Sequence, residues 1–71
     1  MDKFKVVEKS ATEITFSSIA DMEIAYNLLA DGRDIVLYME EDHEKNGEIL
    51  PGKVFSDIMD GKVKLTSSEK M

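Results

Sequence analysis

The apolar positions change their period along the chain, and each change marks the border of an element. Phe4 and Val6 alternate with Lys5 and Val7, and after a short polar break Ile14 and Phe16 alternate with Glu13, Thr15 and Ser17. Both stretches read as half-buried strands joined by a tight connection over residues 9–12. From Ser18 the period lengthens. At about 100° per residue, Met22, Ala25, Tyr26, Leu28 and Leu29 share one broad arc and Glu23, Asn27 and Asp31 line the other side. Ile24 is the misfit, at the rim of the polar face. Ser18 is a natural N-cap, with Asp21 placed to complete a Ser-x-x-Asp capping box, and Gly32 supplies the left-handed stop.

The helix runs into the longest apolar stretch, Ile35 to Met39. Ile35, Leu37 and Met39 point one way and Val36 and Tyr38 the other, so this strand is apolar on both faces, as a central strand covered on two sides would be. The chain then turns polar through EEDHEKNGE, where Asn46-Gly47 is the favoured pair for a type I′ turn. A hairpin is expected: the strand runs past Glu41, turns at Asn46-Gly47 and returns through Glu48, Ile49 and Leu50 until Pro51-Gly52 ends it. The alternative is an acidic loop. Val54, Phe55, Ile58 and Met59 then repeat with the spacing of a short helix, stopped by Gly61, although Asp60-Gly61 would also suit a hairpin turn. A last strand covers 62–66 with Val63 and Leu65 inward, and 67–71 is expected to be a frayed tail.

These elements predict an α+β fold in one domain, 1–71: a small, mostly antiparallel sheet with one main helix packed on one face, in the order ββαβ(β)αβ. One helix covers one face of a sheet. Val36 and Tyr38 therefore need a second cover, either the short helix or another molecule, and a homodimer is one expected answer.

Composition narrows the function more by exclusion than by indication. Hydrophobic residues make up 42% and charged residues 34% of the 71, the mix of a folded domain. There is no cysteine, which excludes disulfides and thiolate metal sites. No apolar run approaches the ~20 residues of a membrane span, and the start MDKFKVVEK lacks a signal-peptide core, so a cytoplasmic protein is expected. Fifteen acids against nine bases leave a net charge of -6, which repels nucleic acid.

No catalytic or cofactor motif stands out. Residues 42–49 overlay the start of a calcium loop, but the twelfth position falls on Lys53, a cation where the bidentate carboxylate belongs. His43 has no second nitrogen or thiolate to share a metal with, and the serines lie in no nucleophile context beyond the capping roles of Ser17 and Ser18. Neither enzyme activity, a metal nor a cofactor is expected.

What remains is charge and shape. Glu40, Glu41, Asp42, Glu44 and Glu48 form an acidic cluster, suited either to solubility or to steering toward a basic patch on a partner. Lys3, Lys5 and Lys9 share one face of the first strand, and Lys62 and Lys64 one face of the last, which would give the molecule a basic side. The expected function is a small, acidic, non-catalytic protein-binding module that modulates or inhibits a larger protein, of the kind common among phage-encoded and other accessory proteins. Its contact residues would be the acidic cluster with Val36, Tyr38 and Ile24. The alternatives are a nucleic-acid mimic that blocks a DNA-binding enzyme, and a small-molecule or metal-dependent enzyme.

Overall fold

Alternation in the first sixteen residues yields two strands, β1 (Asp2–Lys9) and β2 (Glu13–Phe16), in a computed structural model that describes residues 2–39 and 47–69. They pair antiparallel, with Val6 opposite Phe16. Ser10 closes the turn between them: its N–H donates to the Glu13 carbonyl at 2.8 Å, and the Glu13 N–H donates to the Ser10 hydroxyl at 3.0 Å. A β-bulge lies between Val6 and Glu8, beyond which Glu8 faces Thr15 and Lys9 faces Ile14. The extra residue, Val7, moves every later side chain to the opposite face. Lys9 therefore does not join Lys3 and Lys5, as strict alternation predicts, but points to the side of buried Ile14.

Helix α1 (Ile19–Ala30) starts where its cap predicts, the Ser18 hydroxyl accepting the Asp21 N–H at 3.1 Å. Asp21 does not close the capping box. Its carboxylate accepts from the Ser17 hydroxyl at 3.4 Å, and the first helical N–H, that of Ile19, donates to the Glu69 carboxylate at 3.1 Å. The helix stops at Gly32, whose φ of 80° lets Arg33 N–H reach back to the Leu28 carbonyl at 3.0 Å.

The chain continues through β3 (Ile35–Met39), β4 (Glu48–Leu50), helix α2 (Val54–Met59) and β5 (Lys64–Ser67), an α+β fold in the expected order with the optional strand present. The sheet runs β4-β3-β1-β2-β5. It is mixed: β1–β2 and β3–β4 are antiparallel, β1–β3 and β2–β5 parallel. The parallel pairs follow from the helices. α1 carries the chain from β2 across to the other side of β1, where Ile35 starts opposite Asp2, and α2 connects β4 at one edge to β5 at the other. The middle strand is thus β1, and β3 lies one position from the edge.

The β3–β4 register puts Leu37 opposite Glu48 and Ile35 opposite Leu50. The turn expected at Asn46-Gly47 involves residues 40–46, which lie outside the described residues. Gly47 itself lies close to the Tyr38 ring, where a Cβ would require the ring to shift.

Both helices pack on one face of the sheet. Phe4, Val6, Ile14, Phe16, Ile35, Leu37 and Leu50 meet Ala25 and Leu29 of α1, with Val54, Phe55 and Ile58 of α2 against the same cluster. The rings of Phe4 and Phe16 meet edge-on at 6.3 Å, and Tyr26 of α1 meets Phe55 of α2 likewise at 5.5 Å. Gly52 lets the two helices' connections touch, since a Cβ there would collide with the Gly32 backbone, and its N–H donates to Asp34 Oδ1 at 2.8 Å. Residues 67–69 are not the frayed tail expected of 67–71: Ser67 belongs to β5, Ser68 N–H donates to the Phe16 carbonyl at 2.9 Å, and Glu69 holds the α1 N-terminus, while 70 and 71 lie outside the described residues. Among the described residues no helix is long and apolar enough to cross a membrane.

Candidate functional site

With both helices on one face, the other face of the sheet is left to its own side chains. Alternation and register place Lys3, Lys5 and, past the bulge, Glu8 of β1, Glu13 and Thr15 of β2, Val36 and Tyr38 of β3, Ile49 of β4, and Lys64 and Thr66 of β5 on it. The Lys3 ammonium lies 5.8 Å from the centre of the Tyr38 ring, within cation–π range. The Thr15 and Thr66 hydroxyls share a hydrogen bond at 3.0 Å. Val36 is only 8% exposed, flanked across the strands by Lys3 and Ile49, while Ile49 itself is 53% exposed. A small apolar centre, Val36 with Tyr38 and Ile49, thereby lies beside exposed Lys3 and Lys5, while Lys64, next to Glu13, lies two strands farther across the face.

The expected contact residues divide among three places. Val36 and Tyr38 are neighbours on this open face. Ile24 is 50% exposed on α1, a helix packed on the other face, so it does not join them. Glu48, opposite Leu37, lies on the helix side, where its carboxylate makes an ion pair with the bulge-shifted Lys9. Glu40, Glu41, Asp42 and Glu44, with His43 and most of the calcium-like stretch, lie outside the described residues. The basic side is also redistributed. Lys3, Lys5 and Lys64 do share the open face, although β2 separates their strands, and Lys9 does not belong to it.

Two features escape sequence reasoning. Ile49 becomes part of the open face only through its register with Val36, which nothing local encodes. The second is a groove of about 580 Å³ on the helix side, walled by Met22 and Tyr26 of α1, Ile58 of α2, and Val63 and Leu65 at β5. Its signal was the breadth of the α1 apolar arc, which exceeds what one sheet contact buries: Ala25 and Leu29 are fully covered, but Tyr26 is 37% exposed. Among the described residues no group of three or more His, Asp or Glu side chains gathers to hold a metal ion.

Comparison of the chain with protein-family models, with curated proteins and with solved structures gives no match.

Proposed function

We propose that the chain is a non-catalytic protein-binding module that modulates or inhibits a larger protein by occupying one of its sites, in the cytoplasm. The observation that carries the reading is the open sheet face, where Val36, Tyr38 and Ile49 form an apolar centre flanked by Lys3 and Lys5, with Glu8, Glu13 and Lys64 farther across the sheet. Apolar patches with polar rims are characteristic contact surfaces, with the apolar part contributing affinity and the charges orientation. A partner suited to it presents an apolar surface with carboxylates where it meets Lys3 and Lys5, and a basic patch toward which Glu40, Glu41, Asp42 and Glu44 would steer the protein.

The lysines also weigh between partners. A nucleic-acid mimic is acidic over its contact surface, and this face is not.

The test is affinity capture from the source cell's lysate with three baits: the protein, its Tyr38→Glu variant and its Ile49→Lys variant. A larger protein retained by the first and lost by both variants supports the reading. Equal retention by all three baits overturns it.

A further inference from the structure

We infer that the outer edge of β5, together with the apolar groove beside it, docks an extended peptide segment of a partner protein, apolar at alternate positions and basic where it meets Glu23. The backbone supplies the first part of the argument. Lys64 N–H donates to the Thr12 carbonyl at 2.8 Å and Ser68 N–H to the Phe16 carbonyl at 2.9 Å, so alternate residues of β5 turn toward β2. By the period of a strand, the N–H and C=O groups of Leu65 and Ser67 point the other way. Among the described residues no strand lies beyond β5 in the sheet. A row of outward backbone groups is a template for an added strand.

The groove supplies the second part. It runs between Met22 and Tyr26 on α1 and Val63 and Leu65 at β5, with Ile58 of α2 closing one side. A strand added to β5 would direct every second side chain onto this helix-side wall. A small apolar molecule would fill the groove and leave the Leu65 and Ser67 backbone groups unmatched, whereas an extended peptide satisfies both features. Charge sets the remaining preference. Glu23 is exposed on the α1 wall; Lys64 also lines the groove at the β5 edge but is in register with the carboxylate-bearing Glu13, and the chain carries a net charge of -6. The site is distinct from the open sheet face, and the inference does not rest on that surface being a contact.

The probe is the peptide acetyl-Thr-Val-Thr-Lys-Thr-Val-amide, whose second, fourth and sixth side chains share the groove side so that its one lysine is placed to meet Glu23, titrated into isotopically labelled protein and followed by amide shifts and hydrogen exchange. Expected are saturable shifts along residues 63–67 and slowed exchange of the Leu65 and Ser67 amides. A peptide N-methylated at alternate residues keeps its side chains and loses the backbone donors, and should bind at least about tenfold more weakly, the equivalent of one or two hydrogen bonds. Glu23→Lys, an exposed change remote from the core, should weaken the parent peptide, while Tyr38→Glu should leave it unchanged. Equal binding of the N-methylated peptide, shifts centred on Ile49 and the open face, or no binding at millimolar peptide would each overturn the inference.

Discussion

The two faces of this sheet are built from the same strands and differ in what lies over them. On the covered face, Val6, Phe16 and Ile35 are 1%, 0% and 0% exposed beneath two helices. On the open face, the residues one position along are Lys5, Thr15 and Val36, and only Val36 is buried, beneath its own neighbours. Apart from the Lys9–Glu48 ion pair, the strand residues named on the covered face are apolar, which is the composition of a core. The open face mixes an apolar centre with charges that carry a solvation cost in any dry interface, the composition of a surface that is wet when free and covered when bound. The protein's stability should therefore reside on one face and its recognition on the other.

The sharpest way to break that division is Phe16→Ala. The ring is fully buried against Phe4, and its loss should cost about 3–5 kcal/mol, a large share of what a domain this small possesses. Urea denaturation measures it. A cost under about 1 kcal/mol, the scale of a single cross-strand pair, would mean the covered face is not the core.

A smaller loss is expected from Gly52→Ala, which strains the covered face from outside the sheet. The added methyl would collide with the Gly32 backbone, where no flexible side chain can give way. Separating the two connections should lower stability by about 1–3 kcal/mol, the scale of overpacking, visible as an earlier urea midpoint. An unchanged midpoint would show that the α1 and α2 ends are not locked together.

On the open face, Ile49→Ala should cost about 0.2–1 kcal/mol, since it removes one cross-strand partner of Val36 from a residue already half in water. Partner binding should fall far more than stability does. The reverse pattern, a large stability loss with binding intact, would make the open face ordinary core and end the comparison.

Local chemistry was legible in the chain, and pairing was not. The Ser18 cap, the Gly32 stop and the α2 spacing Val54, Phe55, Ile58 act within a few residues, and each appears where the pattern places it. Strand order depends on partners distant in sequence. Nothing near Asp2 announces Ile35, so a parallel β1–β3 pair and a mixed sheet could not be read. The bulge at Val7 is likewise silent, because Val6-Val7-Glu8 looks like any strand, and with it the Lys9–Glu48 ion pair was hidden. The β4 strand over Glu48–Leu50 appears where the pattern places it, and the turn expected at Asn46-Gly47 falls outside the described residues. The open face was half visible: Val36 and Tyr38 could be seen to need a second cover, because both faces of β3 are apolar, while Ile49 and the flanking lysines came from topology.

The smallest expected effect on stability belongs to the acidic segment, and it separates steering from anchoring. Replacing Glu40, Glu41, Asp42 and Glu44 by Gln or Asn removes four of the fifteen acids and takes the net charge from -6 to -2. Isolated surface charges contribute little, so the urea midpoint should hold within about 0.5 kcal/mol per site. Association with the partner should nevertheless slow at low ionic strength, and the difference from the unmodified protein should shrink as salt rises and screening shortens to about 8 Å near 0.15 M. Dissociation should stay the same if the proposed anchor, Val36, Tyr38 and Ile49, holds the partner. Stopped-flow measurements across a salt series report the two rates separately. An unchanged association rate at low salt would reduce the segment to a solubilising loop and leave the open face to act alone, whereas a faster dissociation would make these carboxylates part of the bound contact.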